Sequence, residues 1–478
     1  MTVSMQRFVS IANRMPDKRQ AAVRRADFEE IFGDYDPAAA AEQAARCSQC
    51  GIPYCQIHCP LQNNIPDWLM LAAQGRLEEA YELSSATNNM PEICGLICPH
   101  DRLCEGTCVI ETAGHGTVAI GAVERFITET AWTEGWVKPP TPSSELDHSV
   151  GIIGAGPAGL AAGEQLRRQG YQVHVYDRYD RIGGLLVYGI PNFKLEKEVV
   201  ERRARLLADG GVVYHTGFEV GRDASLDELR ARHDAIIIAT GVYTSRDIAI
   251  PGVGLKNVIQ ALDYLIASNR KGLGDAVPDF DSGTLDAKDK DVVVIGGGDT
   301  AMDCVRTAVR QGAKSVKCLY RRNREYMPGS LREVEHAEEE GVEFVWLAAP
   351  EAFLGNGKVN GVRAQRMRLG APDADGRRVP EAVGDGPFTT PADMVIRALG
   401  FDAEDLPEMF SCPGLALSQE GTLDVDAETM MTNLDGVFAA GDIVRGASLV
   451  VWAIVDGRNA ATHIDAYIRA VERDGRAA

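Results

Sequence analysis

Eight of the chain's eleven cysteines fall between Cys47 and Cys108, in two runs whose spacing suits ligation better than cross-linking. The first, CSQCGIPYCQIHCP, places Cys47, Cys50, Cys55 and Cys59 at gaps of two, four and three residues. The second, CGLICPHDRLCEGTC, places Cys94, Cys98, Cys104 and Cys108 at gaps of three, five and three. Disulfide frameworks serve small secreted domains that lack a large core. This chain has 478 residues, and its first twenty hold no continuous apolar stretch of the secretory kind. Structural zinc sites pair short knuckles across a longer loop, whereas each run here is a continuous four-cysteine series. Pro60 follows Cys59 and Pro99 follows Cys98, as in ferredoxin-type runs that end in C-P. Two 4Fe-4S clusters are therefore expected, with zinc and disulfides as the alternatives.

A second kind of chemistry is written in glycines. GAGPAG puts Gly154, Gly156 and Gly159 between the apolar run SVGII and a helical stretch, and Asp177 ends the next apolar run eighteen residues after Gly159. In a dinucleotide-binding loop the first glycine makes the tight turn, the second admits a pyrophosphate and the third lets helix and strand pack, while the later acid meets ribose hydroxyls. The helix N-terminus adds free N-H groups and partial positive charge. GGGDTA repeats the pattern with Gly296, Gly298 and Ala301, but its next run, SVKCLY, ends in Arg321 and Arg322 rather than an acid. Arginines there suit a 2′-phosphate, which predicts NADPH rather than NADH; a solvated basic turn is the alternative. Two such loops in one chain imply two dinucleotides, most economically a flavin and its nicotinamide reductant.

The elements that must position these groups follow from local pattern. Before the linker, signals are helical: DPAAAAEQAARC offers Asp36 as cap and Pro37 in the first turn, Gly75 breaks a second helical stretch, and VAIGAVERFITETAWTEGW reads as a third. KPPTPSSELDH, at 138–148, reads as an extended linker. Beyond it SVGIIGAG, YQVHVYD, DAIIIATG, DVVVIGGG and SVKCLYRR alternate with helical stretches, the signature of parallel sheets covered by helices. Residues 270–290 and 370–390 read as loops, and Glu338, Glu339 and Glu340 as a solvated helix face. A net charge of −20 opposes nucleic-acid binding, and no apolar run approaches the roughly 20 residues that span a bilayer. The nine histidines show no metal-ligand spacing, and His58 is read as a donor to a neighbouring cysteine.

GAGPAG with Gly183-Gly184, ATG at 239–241 and AAGD at 439–442 resembles the glutathione-reductase class of flavoproteins. The resemblance implies FAD on Gly154, Gly156, Pro157, Ala158, Gly159, Asp177, Gly183, Gly184, Thr240, Gly241, Gly441 and Asp442. It implies NADPH on Gly296, Gly298, Asp299, Thr300, Ala301, Arg321 and Arg322. The fold expected is α/β: an α-helical iron-sulfur domain at 1–145, then two Rossmann-like domains, one for FAD at 146–255 with 401–478 and one for NADPH inserted at 256–400. The redox cysteine pair of that class is missing; Cys304, Cys318 and Cys412 read as small buried hydrophobes.

With the helical cysteine region in front and YGIPNFKL at 188–195, the whole chain resembles the small (beta) subunits of bacterial NADPH-dependent glutamate synthases, and is related to the electron-entry half of dihydropyrimidine dehydrogenase. That resemblance implies a cytoplasmic electron-input subunit. NADPH is oxidised at FAD, and electrons pass through two 4Fe-4S clusters to a large (alpha), FMN-carrying subunit that makes glutamate from glutamine and 2-oxoglutarate. By the same resemblance the ligands interleave: Cys47, Cys50, Cys55 and Cys108 hold one cluster and Cys59, Cys98 and Cys104 the other, with Cys94 and Glu124 competing for the last place. Lys194 either tunes the flavin or forms a salt bridge. An NADPH:acceptor oxidoreductase of ferredoxin type, or a structural zinc or iron-sensing module, are the competing functions.

Overall fold

The computed structural model describes residues 6–373, 376, 378–384 and 386–477, with backbone alone for 474–477. The first part is helical. Asp36 accepts from Ala39 N at 2.9 Å and Pro37 sits in the first turn, which starts the helix Pro37–Ala44 that leads to Cys47. Helices Ile65–Ala73 and Leu77–Ser85 are separated around Gly75, and Trp68, fully buried, donates from Nε1 to Asn63 Oδ1 at 2.8 Å. Helix Pro91–Ile97 carries Cys94 and packs on helix Ile120–Thr133, which carries Glu124. They approach so closely at Gly95 that a Cβ there would lie 2.9 Å from Arg125 N.

Two five-stranded parallel sheets follow among the described residues. In the first, β1 (Ser149–Ile153) is flanked by β2 (Gln172–Asp177) and then β3 (Val213–Thr216) on one side. On the other side lie β4 (Ala235–Ile238) and the late strand β16 (Val437–Ala439). The chain leaves this sheet through β5 (Thr244–Ser245) and builds the second, in the order β6 (Val258–Gln260), β14 (Met394–Arg397), β7 (Asp291–Ile295), β8 (Ser315–Tyr320), β9 (Glu343–Trp346). It returns through β15 (Phe401–Asp402), which pairs antiparallel with β5. This two-stranded ribbon ties the outgoing and returning crossovers together. Helix Val450–Ala477 closes the first sheet by packing on helix Pro157–Gln169, where Gly457 brings it against the Ala158 carbonyl.

Two expectations need correction. The segment 370–390 is largely strand: β11 (Lys358–Pro372) pairs with β10 (Ala348–Asn356), β12 (Arg378–Ala382) and β13 (Phe388–Pro391) in an antiparallel sheet. Its glycines hid strands that are fixed by pairing with β11 rather than by local pattern. The stretch 270–290 is looser, with helix Ala261–Gly272 ending in it and a short helix at Pro278–Asp281. The Pro-rich linker is extended but docked, with Leu146 N donating to Gly170 O at 2.9 Å and Pro140 against Gly210.

The second correction concerns Glu340. Glu338 is exposed, but Glu340 has no exposed surface and is gripped by Arg24 Nε at 2.9 Å, Arg306 Nη2 at 3.0 Å and Arg310 Nη1 at 2.5 Å. Burial would raise its pKa; Arg310 and Arg306 overcome this and pull it to about 2. Phe193 lies beneath, 3.8 Å from the Arg310 guanidinium and 4.6 Å from that of Arg306. The N-terminal segment, the YGIPNFKL stretch and the second nucleotide unit therefore meet at one buried charge. Glu340→Ala leaves Arg310 without a carboxylate partner and takes one from Arg24 and Arg306, which keep Glu339 and Glu333, and an unfolding titration should show a loss of about 3–5 kcal/mol; a loss under about 1 kcal/mol would contradict this role. Because the folded pKa is depressed, the stabilisation is complete above the ordinary 4.5 and disappears as pH falls through about 2.

Candidate active site

At the end of β1 the chain turns at Gly154, with φ of +110°, where a Cβ would strike the Ala239 carbonyl oxygen; at Gly159 it would strike Gly154 O. Gly156 is different. A Cβ there meets no protein atom within 4 Å, so neither sterics nor a positive φ calls for glycine, and the open side faces the cavity. Gly156 also caps helix Pro157–Gln169 without a side-chain hydrogen bond, leaving its first N-H groups for an anion. The second loop repeats each feature. Gly296, with φ of +146°, backs onto Ala398 O, Gly298 has nothing within 4 Å, and Ala301 is fully buried in the third position.

A cavity of about 270 Å³ opens at the first loop and reaches the helix that follows the second; Gly296, Gly298, Asp299, Ala301, Arg321 and Arg322 are not in its wall. Gly154, Gly156, Pro157, Ala158, Asp177, Gly184, Thr240, Gly241, Gly441 and Asp442 line it from the first unit, and Thr300 and Asp303 from the second. Gly183 stands behind the wall, its N-H donating to Ala155 O at 2.9 Å. Thr240 Oγ1 is buried in this wall without a hydrogen-bond partner, a polar atom awaiting a ligand. The Asp177 carboxylate already accepts from Ala155 N at 2.7 Å and Tyr179 N at 2.8 Å, so it braces the loop as well as facing the cavity. Burial raises its pKa, and pushes Asp442 up to about 6.

Lys194 does not line this cavity. Its ammonium lies 2.7 Å from Asp303 Oδ1 and 3.7 Å from Glu333 Oε2. Burial works to lower its pKa, but Asp303 and Glu333 outweigh burial and hold it above its ordinary value. Asp303, raised to about 6 by burial, is the cavity-wall residue of the pair, one that sequence pattern alone did not single out. At the end of β8 Arg321 is exposed and Arg322 half-buried, the latter donating from Nε to Arg378 O at 2.9 Å. Neither forms an ion pair with an acid among the described residues. Asp299 Oδ1 accepts from Ser330 N at 2.9 Å.

The cysteines gather around two smaller cavities in the helical part. One is lined by Cys47, Cys50, Cys55 and Cys108; the other by Cys59, Cys94, Cys98 and Cys104 together with Glu124. All eight are free thiols. No three His, Cys, Asp or Glu side chains converge closely enough for a single metal ion among the described residues; the cysteines ring a void, as the ligands of a polynuclear cluster do. Burial pushes the thiols of Cys47 and Cys59 to about 11 and that of Cys55 to about 12, so metal ligation must displace protons. Glu124, raised to about 8 by burial, accepts from Ser84 Oγ at 3.3 Å and Asn88 Nδ2 at 3.4 Å, while Cys94 lies 3.8 Å from Asn88 Oδ1. Both candidates for the last ligand thus face the same cavity. His58 is exposed, with Nδ1 3.2 Å from Tyr54 O rather than against a cysteine. Cys304, Cys318 and Cys412 are buried in the two sheet units.

The first loop, with Gly156 open and Thr240 unpartnered, fits a dinucleotide; the second fits one by the same geometry; and the two rings of thiols fit iron-sulfur clusters. Comparison with known proteins agrees. Residues 24–136 match the family model for dihydropyrimidine dehydrogenase domain II, 4Fe-4S cluster, and residues 148–457 that for pyridine nucleotide-disulphide oxidoreductase. The Mycobacterium tuberculosis protein FprA, solved in complex with NADPH, shares the fold with a TM-score of 0.58 at 20% identity, over 69% of this chain and 86% of that one. The glutamate synthase (NADPH) small chain of Azospirillum brasilense is 67% identical over 97% of this chain and 96% of its own length. That of Escherichia coli K12 is 44% identical over 97% and 99%. The chain belongs to the family of glutamate synthase (NADPH) small chains, NADPH-dependent flavin oxidoreductases with an amino-terminal 4Fe-4S domain.

Proposed function

We propose that the chain is the electron-input subunit of a glutamate synthase, oxidising NADPH at FAD and delivering electrons to a large (alpha), FMN-carrying subunit that makes glutamate from glutamine and 2-oxoglutarate. One observation carries the reading: a single cavity is lined by Gly154 and Gly156 of the first dinucleotide loop and by Thr300 and Asp303 of the helix that follows the second. When bound, FAD takes a hydride from NADPH and releases electrons singly, and 4Fe-4S clusters carry them one at a time.

The residues divide accordingly. Residues 146–255 and 401–478 form the FAD unit. The first-turn N-H groups after Gly156 hold its pyrophosphate, Thr240 and Asp177 offer it hydrogen bonds, and Gly441 and Asp442 close the far side. Residues 256–400 form the NADPH unit, in which Gly296, Gly298, Asp299, Thr300 and Ala301 make the phosphate turn and Arg321 and Arg322 take the 2′-phosphate. Lys194 acts on the cavity through Asp303, fixing a carboxylate on its wall. Residues 1–145 carry two clusters, one on Cys47, Cys50, Cys55 and Cys108, the other on Cys59, Cys98 and Cys104 with Cys94 or Glu124.

The packing supports an order. Leu449 and Val450 line the dinucleotide cavity while Val451, the next residue, lines the Cys59 cavity, so about one helix width separates them. The segment Cys55 to Cys59 then joins that cavity to the one at Cys47. Around the latter, Ile52 is 62% exposed, Tyr54 47%, Ile57 57% and Val109 40%, an apolar surface suited to a protein partner. With flavin and clusters bound, this order would carry electrons from the dinucleotide cavity through the Cys59 site to the Cys47 site and out to the large subunit. No helix is long and apolar enough to cross a membrane among the described residues.

Purified from its source, the chain should bring a large subunit with it and support NADPH oxidation that requires both glutamine and 2-oxoglutarate; a protein without either partner or activity contradicts the assignment. Replacing Arg321 and Arg322 together by alanine should raise the KM for NADPH at least about tenfold with little change for NADH, and equal losses for both would remove the 2′-phosphate role. Ile52→Asp combined with Ile57→Asp should weaken association with the large subunit about tenfold or more while NADPH still reduces the isolated chain. Unchanged association would place the interface elsewhere.

A further inference from the structure

The loop between Cys98 and Cys104 does more than present two thiols. It is stitched to the second dinucleotide loop through a short turn at residues 327–330. On one face of that turn, Gly329 N donates to Gly297 O at 2.9 Å and Ser330 N donates to Asp299 Oδ1 at 2.9 Å, both acceptors lying in the phosphate loop. On the other face, Ser330 Oγ donates to Asp101 Oδ1 at 3.0 Å and Leu331 N to Asp101 Oδ2 at 3.2 Å. Asp101 lies three residues from Cys98 and three from Cys104. Two further links run parallel. Arg102 donates to Pro328 O and lies 3.9 Å from Asp299 Oδ2, and Arg332 donates to Glu105, the neighbour of Cys104, at 2.7 Å.

One residue therefore serves two masters. Ser330 gives its N-H to the nucleotide loop and its hydroxyl to the cysteine loop, and Arg102 lies between an acceptor of the turn and the acid of the phosphate loop. Both sites gather negative charge in use: the dinucleotide brings phosphates, and a reduced cluster carries one more electron than an oxidised one. They are joined through one residue by separate donors, Ser330 N-H on one side and Ser330 Oγ on the other, so the two loops are held at a fixed spacing at which negative charge on one disfavours negative charge on the other.

We propose that Asp101, acting through Ser330, couples the second dinucleotide loop to the Cys59, Cys98 and Cys104 centre, so that an electron on that centre loosens the hold on the nicotinamide nucleotide. The coupling rests on the assignment of NADPH and an iron-sulfur cluster to these sites, and goes beyond it in making them thermodynamically dependent. Linkage requires reciprocity: bound NADP⁺ must make the centre harder to reduce by the same factor. Its use is directional, since an electron that has moved on favours departure of the oxidised nucleotide and discourages return transfer. Asp101 and Ser330 are positioning residues in this scheme; neither touches the reacting atoms.

The test is a redox titration of the holoenzyme followed by the 4Fe-4S EPR signal that disappears in Cys98→Ser, with and without saturating NADP⁺. In the unmodified protein NADP⁺ should lower the midpoint by the equivalent of at least about a fivefold affinity difference, where tenfold corresponds to about 59 mV for a one-electron couple. Ser330→Ala and Asp101→Asn should each cut that shift by about half or more, with Ser330→Thr restoring it, while iron and flavin contents stay unchanged. No shift in the unmodified protein overturns the proposal, as does a shift of full size in Ser330→Ala, which decides the matter should Asp101→Asn lose its cluster. A protein with no iron, sulfide or flavin would instead overturn the underlying cofactor assignment.

Discussion

Glu340 holds guanidinium groups from two stretches of chain that sequence places more than 280 residues apart, Arg24 on one side and Arg306 with Arg310 on the other. A carboxylate with no exposed surface is tolerable only when its charge is fully matched, so the three arginines cannot be placed loosely. Phe193 beneath them and Lys194 on Asp303 draw the first sheet unit to the same point. That junction is one of the contacts that hold the two dinucleotide-binding units against each other. Asn269 Nδ2 on Tyr188 O at 2.9 Å and Arg181 on Asp275 at 2.7 Å join the same two units on the other side of the shared cavity.

Given that junction, the rest is a matter of short distances. The first turn of helix Val450–Ala477 is the wall between the dinucleotide cavity and the Cys59 cavity, and its close packing on helix Pro157–Gln169 is why the wall is thin. The helical N-terminal part is not an appendage. Leu61, Met90, Ile93 and Cys94 share one apolar core with β1, β2 and the helices that cover them. The cysteine region is thus packed into the same core as the first sheet.

Much of the site was legible in the residues because its parts are local. Gly154 and Gly296 need positive φ, and Gly156 and Gly298 need nothing from the protein, so their pattern can only describe a turn and a ligand. Asp36 and Pro37 announce the helix that leads to Cys47. What stayed hidden depends on partners far away in sequence. Glu340 ends a run of three glutamates that looks like any solvated helix face, and only Arg24 and the geometry of helix Asp299–Arg310 reveal it as a buried hub. β12 and β13 take their strand form from β11. Asp177 reads as a ribose ligand, yet it also braces Ala155 and Tyr179. The interleaving of the two cysteine runs came from family resemblance; in the fold it follows from Cys108 returning beside Cys47.

The order of the two cysteine sites is the claim on which the functional reading turns. It is tested most directly by Cys50→Ser in the complex with the large subunit, comparing rapid flavin bleaching by NADPH with formation of glutamate. If electrons leave through the Cys47 site last, bleaching keeps its rate while glutamate formation falls at least about tenfold, the least that follows from removing even a group that supports a metal ligand. Glutamate formation at the original rate would show that electrons do not pass that way.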